Sequence, residues 1–396
     1  MATDTSARRT ATLPVPGRHR LVTQPPAERP DQPAPSDRFP RPWLFPVAVF
    51  AVAWLLILAS WYGYDALFGH HFGWDYFFGY DDAGFYRAIA EWSYTGDPAR
   101  PAFFPLFPIV IRLAADVAGG NYAVGGLIAG VLSGLASVVA VWALARQVCT
   151  RRVADYAVLL FALFPGAMAF AINYSEPLAV AIAAAMLLAL LKRRWLLAGI
   201  LGALGTAERP TLIVLAVVGG VVAIQAIRER REWAALLAPA LTPAGILAYF
   251  AFLGHRFHNY KYWFWIENKG WHQHFDWGAH TFSVLLWINP TGEHHKRFVV
   301  MLTIMFACAV AGIILMLAAR LPVALSLFAI LTILLTITSS NGGTRPRFVW
   351  VAFPIFLGAA AKLPRWLYWP VLILSAAGFV LLAAGWRALF GPHLAP

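Results

Sequence analysis

The chain has 396 residues, 60% of them hydrophobic and 13% charged. Soluble domains carry about 25% charged residues, so a water-soluble fold is excluded and lipid must cover much of the surface. Lys and Arg outnumber Asp and Glu by 31 to 19, a net charge of +12. That excess lies on a tail and on short turns between apolar runs, so no nucleic-acid partner is expected.

Residues 1–42 are rich in Pro, Arg, Ala and Thr, with no apolar run before Trp43 and no cleavable signal peptide. They read as a disordered cytoplasmic tail whose arginines stay solvated or touch anionic headgroups. Residues 43–390 read as one transmembrane domain, and 391–396 as a C-terminal tail. Apolar segments approaching a bilayer span fall at 43–62, 122–145, 155–172, 176–191, 195–207, 211–227, 234–253, 299–318, 321–338, 347–361 and 366–387. The apolar stretch 103–118 contains Pro105, Pro108, Arg112 and Asp116, and is read as a re-entrant or interfacial helix. The expected fold is all-α and polytopic, with about 11 transmembrane helices. Cys149 and Cys308 lie near a span end and within a span, which argues against a disulfide framework.

Basic residues gather on the cytoplasmic side of membrane proteins. With 103–118 not crossing, the tail, Arg146/Arg151/Arg152, Lys192/Arg193/Arg194, Arg228/Arg230/Arg231, Arg320 and Lys362/Arg365 share one face. That face holds 19 of the 31 basic residues and seven of the 19 acids. The opposite face has two long loops, 63–121 and 254–298, together with the clusters Tyr174-Ser175-Glu176, Glu208-Arg209 and Arg345-Pro346-Arg347. Chemistry is therefore expected on the outer face of a plasma membrane, with the N-terminus cytoplasmic and the C-terminus external.

In the first loop Asp81 and Asp82 precede an amphipathic stretch with Phe85, Ile89 and Trp92 at helical spacing. This predicts an interfacial helix with its apolar face in lipid. One aspartate can cap that helix, while the other suits a general base taking a proton from a hydroxyl. Glu176, Glu208 and Arg209 stand at outer span ends, where ionisable groups are costly and are candidates for function; a local Glu208–Arg209 ion pair is the simpler alternative. Arg345 and Arg347 follow the segment Ser339-Ser340-Asn341-Gly342-Gly343-Thr344. Arginine's planar fork matches phosphate oxygens, against the alternative of snorkelling anchors. The loop 254–298 is dense in His and Trp. A metal site at His272, His274, Asp276 and His280 is conceivable, but an aromatic belt explains the tryptophans better, and no metal is expected. Rings such as Trp271 would also stack on sugar.

Taken in order, several motifs resemble those of the PIG-V-like mannosyltransferases, which are lipid-phosphate-sugar-dependent enzymes of the GT-C architecture. Asp82-x-x-x-Tyr86-x-x-Ile89-Ala90-x-x-x-Tyr94 looks like that family's first-loop motif. Ala102-Phe103-Phe104-Pro105-Leu106-Phe107-Pro108 is similar to its Ala-Phe-Phe-Pro-Leu-Tyr-Pro signature, and Tyr174-Ser175-Glu176 to its Tyr-(Thr/Ser)-Glu segment. Arg209 resembles an arginine at a later span end, and Arg347-Phe348 with Phe353-Pro354 resembles an Arg-Tyr…Phe-Pro element. The loop 254–298 matches poorly.

The resemblance implies a GT-C-type bundle that moves mannose, with inversion, from a polyprenyl-phosphate donor to a hydroxyl on a glycolipid or glycan acceptor. Asp82 would be the base, oriented by Asp81 or Glu176. Arg347, Arg345 and Arg209 would hold the donor phosphate, and Tyr86, Glu176, Tyr174 and Trp271 would bind substrate. No cofactor is implied beyond the lipid-phosphate donor. The alternatives are a GT-C transferase using another polyprenyl-phosphate sugar, and a lipid transporter or flippase, although no internal repeat of the kind common in transporters is evident.

Overall fold

The computed structural model describes residues 34–69, 82–288, 293–340 and 343–390. The tail before residue 34, Asp81, Asn341-Gly342 and the C-terminal tail lie outside them. The helices are α1 Leu44–Phe68, α2 Asp82–Trp92, α3 Leu106–Val117, α4 Tyr122–Val148, α5 Arg151–Ala162, α6 Glu176–Leu191, α7 Trp195–Glu208, α8 Val214–Arg230, α9 Leu237–Leu241, α10 Ala244–Phe257, α11 Tyr262–Gly270, α12 Ala279–Leu285, α13 Glu293–Ala318, α14 Val323–Ile337, α15 Pro346–Val351, α16 Pro354–Lys362 and α17 Arg365–Phe390. Single 3-10 turns lead into several of them, as at Arg100–Ala102 and Pro165–Phe170. The described residues form no strand, only an isolated bridge between Phe275 and Ser339.

Among the described residues, six helical stretches are long and apolar enough to cross a bilayer: Leu44–Phe68, Tyr122–Val148, Pro210–Arg230, Trp233–Phe257, Lys296–Ala318 and Arg365–Gly385. Each of the other apolar segments expected from sequence is also helical over most of its length, but shorter or broken. Pro165 ends the run begun by α5, and Phe353-Pro354 separates α15 from α16. Large apolar side chains such as Leu55, Ile200, Val217, Leu247, Ile314 and Leu374 are exposed on these helices, as lipid contact requires. Where helices meet, small residues allow close approach. A Cβ on Gly125 of α4 would lie 2.6 Å from the Ala115 amide of α3, and one on Gly134 would lie 2.7 Å from the Phe50 ring of α1.

Two amphipathic pieces flank the site, the 103–118 stretch and the helix that begins at Asp82. Helix α3 has 12 residues, about 18 Å at 1.5 Å per residue, well short of the ~30 Å hydrocarbon core. It buries Phe107, Ile111 and Ala115 and exposes Ile109, Leu113 and Val117, so it lies along the bundle with one apolar face outward. Of the α2 face expected in lipid, Trp92 is exposed, Phe85 is half-buried and Ile89 is buried. Tyr86, Ile89 and Ala90 are buried, because the Phe103–Phe107 run supplies a protein partner for that face. The segment before α1 is also folded from Ala34 onward: the backbone N–H of Ser36 donates to the buried Asp155 carboxylate (2.7 Å), which also accepts from the Trp142 indole (2.8 Å).

Candidate active site

Four elements converge on one cluster of ionised groups. Asp82 opens α2, and that helix is fixed by Tyr86, whose ring meets Phe103 and Phe107 edge-on at 5.2 and 5.3 Å. The Tyr86 hydroxyl shares a hydrogen bond of 2.8 Å with the Ser175 hydroxyl, tying α2 to the start of α6. Burial pushes the Tyr86 phenol well above its ordinary pKa, so it stays protonated. Glu176, the next residue after Ser175, opens α6 and is 1% exposed. At the end of α7 the backbone turns extended at Arg209 (φ −150, ψ 135), which swings that guanidinium away from its neighbour Glu208.

Arg347 arrives on α15, and the sequence explains why it points inward. Pro346 starts the short helix, and Trp350, one turn later, is fully buried. The Trp350 ring stacks on Phe161 at 4.5 Å while its indole N–H donates to the Phe161 carbonyl (2.8 Å). Gly166 lets the chain after α5 come so close that a Cβ there would stand 2.1 Å from the Pro346 carbonyl oxygen. With the helix so held, Arg347 Nη1 donates to Asp82 Oδ2 at 2.8 Å and lies 3.3 Å from Glu176 Oε1. Its guanidinium sits 4.8 Å from the Tyr174 ring centroid, a favourable arrangement for a desolvated cation. Arg209 Nη1 meets the same Glu176 oxygen at 2.7 Å.

The result is a chain Asp82–Arg347–Glu176–Arg209 with two positive and two negative charges. A buried charge without a partner is expensive, and here each has at least one. The two ends are the more open members: the side chains of Asp82 and Arg209 are each 19% exposed, against 7% for Arg347 and 1% for Glu176. Glu176 is therefore the inner tie that holds two arginines near each other, and Asp82 faces outward.

Of the sequence-nominated groups, the structure brings together Asp82, Arg347, Arg209, Glu176, Tyr174 and Tyr86. Asp81 lies outside the described residues. Arg345 places its guanidinium over the Phe298 ring of α13 at 5.8 Å. Trp271 packs edge-on against Phe85 and Phe103, at 5.7 Å from each, above the face of α2 that begins at Asp82. The local Glu208–Arg209 pair is not formed: Arg209 takes Glu176, and Glu208 lies against the Ser175 hydroxyl and the Phe107 amide. Asp276 caps α12, accepting from the amides of Gly278 (2.8 Å) and His280 (2.9 Å). Among the described residues no group of three or more His, Cys, Asp or Glu is placed to hold a metal ion.

One member escaped the sequence reading. Glu267 on α11 is half-buried, and burial followed by the nearby Asp82 charge pushes its carboxyl up to about 8. A spacing signal existed, because Trp263, Glu267 and Trp271 recur every fourth residue and so share one helix face.

Residues 99–265 match the family of dolichyl-phosphate-mannose-protein mannosyltransferases, a family other than the one the short motifs resemble. No curated protein sequence matches the chain. Among solved structures, ArnT from Cupriavidus metallidurans bound to undecaprenyl phosphate superimposes with a TM-score of 0.53 and 17% identity. The fold is of the GT-C type. That alignment covers 84% of this chain and 62% of ArnT. The oligosaccharyltransferase of Archaeoglobus fulgidus in the apo form aligns with a TM-score of 0.48 and 14% identity, over 87% of this chain and 56% of that one. The chain thus spans under two thirds of the length of either structure.

Proposed function

We propose that the protein is a membrane glycosyltransferase that moves mannose from a polyprenyl-phosphate donor to an acceptor hydroxyl at the outer membrane face, with inversion. The carrying observation is the Asp82–Arg347–Glu176–Arg209 chain, a carboxylate beside two arginines at the mouth of an apolar bundle. The family matched over 99–265 is named for a dolichyl-phosphate-mannose donor, and the ArnT structure is of a complex with undecaprenyl phosphate; both support a lipid-phosphate sugar here. The motif order from Asp82 to Pro354 supports a PIG-V-like relative. The charge distribution of the turns supports an outer-face site in the plasma membrane.

The chemistry follows from the charges. The cluster is already neutral, so an arriving phosphate must compete with a carboxylate for an arginine. Asp82 is the more exposed partner of Arg347, whereas Glu176 is buried. Phosphate binding at Arg347 and Arg209 then releases Asp82 while Glu176 keeps the two cations in register. Asp82 takes the proton of the acceptor hydroxyl as that oxygen bonds to the anomeric carbon. The bond from that carbon to the phosphate oxygen breaks, and its electron pair stays on the polyprenyl phosphate. The leaving group needs charge stabilisation rather than a proton, and oriented guanidinium donors supply it. The lipid tail remains between spans.

Asp82→Asn is expected to lower transfer by about 10²–10⁴-fold, the usual weight of a general base, in membranes given radiolabelled polyprenyl-phosphate mannose. Expression should persist, because Asn can still accept from Arg347. Full activity in that variant removes Asp82 from the role. Labelled arabinose or glucose donors run in parallel test the sugar, and a lipid-translocation assay tests the transporter alternative.

A further inference from the structure

Helix α11 brings to the site a wall that belongs to neither the Asp82 loop nor the arginines. Its Trp263 indole N–H donates to the Ala102 carbonyl (3.1 Å), and the ring meets Phe104 edge-on. Two turns later Trp271 meets Phe85 and Phe103. Glu267 lies midway between these anchors on the same helix face, so it is directed at the ground they span, the Arg100–Phe104 segment and α2. Phe85 follows Asp82 by less than one helical turn, which sets Asp82 beside that ground. The Glu267 carboxyl feels the Asp82 charge, and Tyr249 of α10 in turn feels Glu267. The Tyr249 hydroxyl is already committed to the Pro101 and Phe103 carbonyls.

We propose that Glu267, with the Trp271 ring beside it, receives the acceptor, and that this acceptor is a pyranose offering adjacent hydroxyls opposite Asp82. The inference rests on the transferase reading above and deepens it. Asp82 and Glu267 divide the work. Asp82 pairs with the Arg347 guanidinium at 2.8 Å and is the group placed to take a proton. Glu267 faces an aspartate and apolar rings, and a neutral carboxyl offers one O–H donor and acceptor oxygens, the complement of a sugar diol. Aromatic rings flanking such a group supply apolar faces for the ring carbons. Because Glu267 binds as a neutral group, an amide of the same shape should replace it.

The test uses the full chain in lipid nanodiscs with radiolabelled polyprenyl-phosphate mannose. Octyl α-mannopyranoside and the glycolipid fraction of the producing membranes serve as separate acceptor probes, with a Ser/Thr-rich peptide as the non-sugar control. Label released to water reports donor handling without acceptor. Glu267→Ala should raise the apparent acceptor KM about tenfold, the effect of a lost hydrogen bond to substrate, and leave release to water unchanged. Glu267→Gln should stay within about threefold of the parent. Equal losses of transfer and of water release, a Gln variant as poor as Ala, or unaltered kinetics in both would each overturn the proposal. A parent protein that releases label to water but loads only the peptide would overturn the pyranose acceptor and leave the transferase standing. A parent that does neither would sink the transferase reading itself.

Discussion

Replacing Arg347 with lysine separates its role in the fold from its role toward a phosphate. Both ion pairs of Arg347 run through one nitrogen: Nη1 lies 2.8 Å from Asp82 and 3.3 Å from Glu176. Nε, by contrast, has no hydrogen-bond partner among the described residues. A lysine ammonium can occupy the bridging position, but it lacks the planar fork that offers further donors to phosphate oxygens. Arg347→Lys should therefore leave thermal stability close to the parent while weakening donor use. One or two charge-assisted hydrogen bonds at about 1.5–3 kcal/mol each correspond to a loss of roughly 10- to 150-fold or more in kcat/KM for the donor. Arg347→Ala behaves differently. It leaves Asp82 without its ion pair and Glu176 with Arg209 alone, and breaking a buried pair costs about 3–5 kcal/mol, so reduced yield and a lower melting temperature are expected. The assay is initial-rate transfer from radiolabelled polyprenyl-phosphate mannose at varied donor, with thermal unfolding of the solubilised protein measured alongside. If Arg347→Lys keeps donor kinetics within about twofold of the parent, the guanidinium serves only as an anchor and the donor-binding argument is wrong.

Gly166→Ala should reach the site from a distance. Its new Cβ would meet the Pro346 carbonyl oxygen at 2.1 Å, forcing α15 and Arg347 outward; overpacking of this kind costs about 1–3 kcal/mol, and an ångström of misplacement about 10²-fold in rate, so activity should fall further than stability. Raised to about 8, Glu267 is neutral below that pH and adds a second anion beside Asp82 above it. Transfer should decline as the pH rises through about 8, and Glu267→Gln should remove that decline. Stability should fall between about pH 4.3 and about 8 and level off above, because over that window the folded chain keeps a proton that the unfolded chain has released; a pH profile indifferent to the substitution refutes the assignment. Sidedness is checked with an impermeant maleimide on intact cells, in a background lacking Cys149 and Cys308. Lys269→Cys on α11 should label and Lys192→Cys should not; labelling of both or of neither breaks the orientation, and with it the outer-face site.

Six of the expected spans appear among the described residues as helices long and apolar enough to cross, and they were readable because a bilayer imposes one crude demand, about 20 apolar residues. Site membership was readable for a related reason: an ionisable residue at the end of an apolar segment needs a motive, and Glu176, Arg209 and Arg347 stand at such ends, while Asp82 opens the loop helix. Their pairing was not readable. Glu208 and Arg209 are neighbours in sequence, yet α7 stops between them and the extended backbone at Arg209 sends the two side chains to different partners. Arg345 and Arg347 look interchangeable in the sequence. Pro346 starts a helix between them, and only the packing of Trp350 on Phe161 and of Gly166 on Pro346 turns the second inward. Helix α2 carries an amphipathic face that fits lipid as well as protein, and the choice was made by Phe103 and Phe107. Glu267 shows the same limit most clearly. Its flanking tryptophans mark a face, but the ground that face covers lies more than 160 residues earlier in the chain. Periodicity says that a face exists; what it meets is a property of the assembled bundle, and in this protein that bundle sets Glu267 near Asp82.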